Sequence, residues 1–198
     1  MKLFKKKINT RKVMAWIVII LMSSSVLGAI GGAIFSPSGA VVAQTEEYNG
    51  YTFLNNGGQW AVSLGGQDFY FLYPPKAVED LVIPIDLTSW RNSQAIYLGY
   101  NPKENSTAAS EFSYLTNVLY QLGIRSQSAC TVEDDCPDIP VVDCNKNTIV
   151  FNSPSNSNGI NPETSISKDD NCLIVETTDF HELHRITERI IYELLGVM

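Results

Sequence analysis

The sequence predicts an α+β fold: an N-terminal transmembrane helix, then one exported domain with an antiparallel or mixed sheet and two main helices packed on one face. Three observations carry this expectation. An uncharged, mostly apolar run occupies residues 13–35. Beyond it, short aromatic and β-branched stretches are separated by Gly, Asn and Pro, as strands are. Two later stretches repeat their apolar residues at steps of three and four, as helices do.

The head, residues 1–12, holds Lys2, Lys5, Lys6, Lys7, Arg11 and Lys12 and no acid. Residues 13–35 form a run of about 23, enough to cross a hydrocarbon core of roughly 30 Å. Basic flanks stay cytoplasmic, so the run reads as a single-pass signal anchor in the lipid bilayer of the cell membrane, with the C-terminal domain extracellular. A cleaved signal peptide ending at Val41-Val42-Ala43 is the rival, but its apolar core is usually shorter. A pilin-like filament helix would want an early acidic residue, which the run lacks. Ser24, Gly28, Gly32 and Ser36 fall four apart, a ladder that lets two helices approach closely, although glycine is common in membrane helices anyway. Residues 36–45 read as a tether and 46–198 as the domain.

Six of the 14 basic residues lie in the head, which leaves 8 basic against 21 acidic residues, or −13, beyond it. Such an acidic part excludes nucleic acid as a partner, since that needs a basic footprint. All four cysteines lie there too, and an even count in an oxidising compartment reads as two disulfides. Of three pairings, Cys130–Cys136 with Cys144–Cys172 is preferred: the first closes a short acidic loop and the second ties two neighbouring strands. The spacing is too loose for a four-cysteine zinc site.

Along the chain, Tyr48-Asn49-Gly50-Tyr51-Thr52-Phe53, Gln59 to Leu64 and Asp68 to Tyr73 read as three strands of a meander ended by Pro74-Pro75. Pro84 keeps the next stretch from being helical. Gln94 to Tyr100 reads as a strand. Ala108, Phe112, Leu115, Leu119 and Leu122 then mark a helix closed by Gly123. Asn105-Ser106-Thr107 offers caps for it and is also an N-glycosylation sequon. Residues 129–144 make an acidic stapled loop, Thr148 to Phe151 and Cys172 to Val175 two strands, and 152–168 a polar surface loop. The last helix runs from Asp179 to Leu195, with Phe180, Leu183, Thr187, Ile190, Ile191 and Leu194 as its buried stripe.

Candidate chemistry is sparse. His181, His184 and Glu188 share one flank of the last helix and could ligate zinc with help from elsewhere, but His-Glu-x-x-His spacing is absent, and such positions are ordinarily boundary residues. Asp134 and Asp143, in the acidic loop, are candidates for an irregular hard-cation site. The calcium-loop frame fails, with Thr148 at its glycine position, and a solvated turn is the simpler reading. Ser165-Ile166-Ser167-Lys168 has the Ser-x-x-Lys spacing without a companion Lys-Thr-Gly. No catalytic or cofactor-binding motif is recognisable, so no cofactor is expected. Trp60, Tyr70 and Tyr73 could anchor a partner, though half of a meander's aromatics must be core.

The Tyr48-to-Phe53 strand, Cys136-Pro137-Asp138-Ile139-Pro140 ahead of Cys144, and the ending Ile191-Tyr192-Glu193-Leu194-Leu195-Gly196-Val197-Met198 resemble uncharacterised archaeal-type single-pass membrane proteins. That resemblance implies a location and brings no activity or site residue. The expected role is a non-enzymatic interaction or accessory subunit of a membrane or envelope assembly, through a membrane or envelope protein partner or self-association. The alternatives are an exported hydrolytic or redox enzyme, with a site near residues 133–147 or the His181/His184 pair, and a filament-forming or secreted envelope component.

Overall fold

A computed structural model describes residues 44–103, 108–152 and 164–198. The head, the apolar run, the Ser24–Gly28–Gly32–Ser36 ladder and the Asn105 sequon lie outside the described residues. Among the described residues no helix is long and apolar enough to cross a membrane.

The domain is α+β, with two sheets rather than the single sheet expected. Strands β1 (Gln44–Tyr48), β2 (Tyr51–Asn56), β3 (Gln59–Leu64) and β4 (Gln67–Phe71) form an antiparallel meander in sequence order. It has four strands where three were expected, and its first takes in Gln44 and Thr45 from the expected tether. Asn49 and Gly50 adopt φ values of 47° and 82°, which turns the chain inside the stretch read as one strand. Such positive φ at both central residues suits the twist of a tight hairpin.

The linker from Leu72 to Ala95 carries two 3-10 turns, Pro75–Val78 and Thr88–Asn92, and buries Val78, Leu87 and Trp90. The second sheet has the order β6-β5-β7-β9-β8, with β5 (Ile96–Tyr100), β6 (Ser126–Cys130), β7 (Thr148–Asn152), β8 (Ser165–Asp169) and β9 (Cys172–Glu176). Strands β6, β5, β7 and β9 are mutually parallel, and β8 is antiparallel to β9. Helix α1 (Ala108–Gln121) makes the crossover from β5 to β6, because parallel neighbours need a connection of that length. The proline-rich linker and the change from hairpin to crossover connections are why one sheet becomes two.

Helix α2 (Phe180–Leu195) is closed at both ends by its own residues. The Asp179 side chain accepts from the amides of His181 and Glu182, and Gly196 takes a left-handed φ of 73°. The helices pack on each other and form the joint between the sheets. Tyr192 of α2 stacks on Phe71 and meets the edge of Phe53 in the meander, while Phe112 of α1 sits against Phe151 of β7. One continuous apolar core results. The far face of the second sheet is covered by the chain around Val142, whose Cγ2 would lie 2.8 Å from a Cβ placed on Gly99.

Candidate functional site

The densest constellation of polar groups sits where the helix pair meets the end of β4. Glu111 belongs to the buried series Ala108, Glu111, Leu115 and Val118 of α1, and Glu188 is fully buried on α2. Between them stands His184, one turn before Glu188. Its Nδ1 lies 2.9 Å from Glu111 Oε2, and its Nε2 lies 3.1 Å from Glu188 Oε1. The second contact is off the direction of a good hydrogen bond, so it acts as a close ion pair. Tyr114 stacks on the imidazole at 5.4 Å and Phe180 at 6.5 Å between centroids, with Tyr73 tilted beside it.

Burial alone would lower the His184 pKa, but the two carboxylates outweigh it and raise it from 6.5 to about 9. At neutral pH the site is therefore an imidazolium between two acids, and a base of that pKa abstracts protons poorly there. The Tyr114 and Tyr192 phenols are pushed far up, first by burial and then by the charge of Glu188, and stay protonated as donors.

What these groups hold is main chain. Glu188 accepts from the amides of Leu72 and Tyr73 at 2.6 and 2.8 Å, Tyr114 donates to the Tyr70 carbonyl at 2.8 Å, and Tyr192 donates to the Tyr73 carbonyl at 2.7 Å. The helices thus grip the end of the meander through its backbone. On the next flank of α2, Arg185 binds Glu182, Asp80 and the Ala77 carbonyl, and Arg189 reaches the Leu81 carbonyl and Glu193. These arginines fasten the linker. The whole assembly is a clasp, and its groups are spent on the chain's own backbone.

The residues singled out from the sequence go to separate places. His184 and Glu188 come together in the clasp, but His181 is exposed beside Phe180, and no group of three metal-ligating side chains forms among the described residues. Asp134 pairs with Lys103, and Asp135 is 3.8 Å from the same ammonium. Asp143 accepts from the amide and the side chain of Asn145, bonds that close a turn and hold its carboxyl below the usual range. Ser165 and Lys168 lie on the edge strand β8, not at a helix start. The cysteines pair as Cys130–Cys136 and Cys144–Cys172, the latter joining the loop before β7 to the start of β9. Glu111 was missed, although it stands three after Ala108 and four before Leu115, on the buried face of a helix read correctly from its apolar residues.

Among the described residues, two open surfaces bear on binding. On the outer face of the meander the register aligns Thr45, Leu54, Ala61 and Tyr70 in one row across all four strands, with Leu72 just past it. Leu54, Tyr70 and Leu72 are each about half exposed, at 48, 56 and 51 %. A shallow concavity of about 460 Å³ adjoins them, bordered by Thr52, Ser63 and Asp68. The second surface is a groove of about 690 Å³ where α1 ends and β6 begins. Trp60 and Tyr73 are half-buried against the core, so of the three aromatics proposed as anchors only Tyr70 faces outward. The chain matches no known protein family, curated protein or solved structure.

Proposed function

We propose that this chain is a membrane-anchored extracytoplasmic domain serving as a non-enzymatic interaction or accessory subunit of a membrane or cell-envelope assembly. The observation that carries the proposal is the outward row of Leu54, Ala61 and Tyr70 with Leu72. Contiguous exposed apolar surface with a polar rim is the usual signature of a protein-binding face. The row also belongs to the described element that lies nearest in sequence to the proposed anchor, which favours a partner of the same membrane or envelope. Two closed disulfides and the strongly acidic composition beyond the basic head support an exported setting. The dominant polar cluster supports a scaffold over a reaction centre, because Glu188, Tyr114 and Tyr192 hold the backbone at the end of β4 and the start of the linker, and Glu111 and His184 are paired with each other.

Native purification from membranes in mild detergent tests the proposal. A second chain, or a second copy, should co-purify in fixed ratio, and the Leu54→Asp/Tyr70→Asp variant should lose it while keeping the wild-type melting profile. Recovery of a monomer alone, or a partner retained by the double variant, overturns it.

A further inference from the structure

We propose that the outer edge of β6 is a docking site for an extended segment of a partner protein, which adds as a strand at Ser126 and Ser128 and sets a carboxylate against Arg125. The proposal rests on the second sheet alone and stands whether or not the meander face binds a partner.

The hydrogen-bond parity of β6 fixes which groups are open. The amide of Ile96 donates to the Arg125 carbonyl, and the amide of Thr131 donates to the Tyr100 carbonyl, so the odd-numbered residues of this stretch face β5. The amide of Cys130 donates to Pro140, and its carbonyl accepts from Val142, so the even-numbered residues face away. Strand β6 ends its sheet, and the parallel bridge from Cys130 to Val141 covers only its last residue. Ser126 and Ser128 therefore present two amides and two carbonyls outward, in line with a pairing already begun at Cys130.

The other sheet edges are guarded. Strand β1 carries Glu46 and Glu47, and β8 carries Lys168 and Asp169. Beside β4, the Tyr70 carbonyl and the Leu72 amide are occupied by Tyr114 and Glu188. Charge, coverage and proline are the ordinary defences of an edge strand. Among the described residues Ser126-Gln127-Ser128-Ala129 has none of them, and the short side chains of Ser126 and Ser128 do not block an incoming backbone.

The groove supplies what an added strand would read. Thr116 and Tyr120 of α1 wall it beside Arg125, Ser126 and Gln127, and Tyr120 is 83 % exposed. A helix wall next to an open edge gives backbone pairing for affinity and side-chain contacts for selection. The lining contains Arg125 and no acid, in a domain where acids outnumber bases 21 to 8. Arg125 is exposed and makes no ion pair among the described residues. Charge complementarity at this spot selects an acidic side chain or a C-terminal carboxylate.

The test uses the full chain in nanodiscs, with residue-resolved amide exchange and a panel of alternating Thr/Val heptapeptides that carry one Glu at each position in turn. At millimolar peptide, at least one member should protect the amides of Ser126 and Ser128 about tenfold while leaving Gln127 and Ala129, already paired with β5, unchanged. Alternate N-methylation of that peptide should abolish the protection. Ser128→Pro removes only an outward N–H, and Arg125→Glu reverses the cation; each should weaken binding about tenfold or more. Leu54→Asp/Tyr70→Asp should leave binding intact, which separates this surface from the meander face. The proposal is overturned if no peptide protects the two amides, if the N-methylated peptide or both β6 variants bind like the originals, or if protection without peptide rises with protein concentration. The last outcome would mean that a second copy occupies the edge.

Discussion

The imidazolium of His184 ties the stability of the domain to pH. Its pKa is about 9 in the folded chain against 6.5 ordinarily, so its contribution is fully present below about pH 6.5 and is lost as pH rises through about 9. The shift corresponds to about 3 kcal/mol, less what solvent screening at the partly exposed ring removes. Thermal melts from pH 6 to 10 should show the loss above pH 7, and His184→Phe, less stable at pH 7, should melt at a nearly constant temperature across that range. A wild-type profile as flat as the variant's would refute the assignment. The facing groups do not confuse the reading: the Tyr114 and Tyr192 phenols are raised beyond the range, and the cysteines are paired and offer no thiolate for exchange. Glu188→Ala should cost about 3 kcal/mol or more in denaturant unfolding, because it strips two part-buried amides of their acceptor and the imidazolium of a buried counter-charge. The pairing with Glu111 was only half legible in sequence. Helical periodicity puts Glu111 and Glu188 on buried faces, but which helix meets which is a tertiary fact.

At the scale of elements, α2 was legible because its signals agree: a capping Asp179, an apolar stripe and a terminal Gly196. Strands β6 and β8 were not. Ser126-Gln127-Ser128-Ala129-Cys130 has neither apolar alternation nor β-branched residues, and it is a strand because β5 beside it offers a parallel ladder. Strand β8 likewise owes its state to β9, since its serines and charges by themselves spell a loop. Strand β5 was legible apart from the role of Gly99. A Cβ there would fall 2.8 Å from Val142 Cγ2 and 3.1 Å from Val150 Cγ2, so the glycine lets the disulfide-bounded loop lie flat on the sheet. Gly99→Ala should destabilise the domain by about 1–3 kcal/mol through overpacking. Adding Val142→Ala should recover part of that loss, and failure of the second change to help would place the strain elsewhere.

Across the whole molecule, the cysteine pairing was accessible to sequence because loop length limits the choices, whereas the division into two sheets was not. Nothing in the composition distinguishes a meander from strands that wait for a crossover. The two bridges do different work, and their sequence separations say how different. Cys130–Cys136 spans 6 residues and fixes one turn of the acidic loop, while Cys144–Cys172 spans 28 and ties the entry of β7 to that of β9. Chain-entropy reasoning assigns about 2 kcal/mol to the short loop and about 3–4 kcal/mol to the long one. Replacing each pair by serines should therefore lower the denaturant midpoint more for Cys144/Cys172 than for Cys130/Cys136. Each bridge has one cysteine in the second sheet, Cys130 at the end of β6 and Cys172 at the start of β9, and both are fully buried, so the loop lengths are what separates the two. If the Cys130/Cys136 variant proved the less stable, the covering loop, anchored through Val142 on Gly99, would be holding the sheet together rather than resting on it.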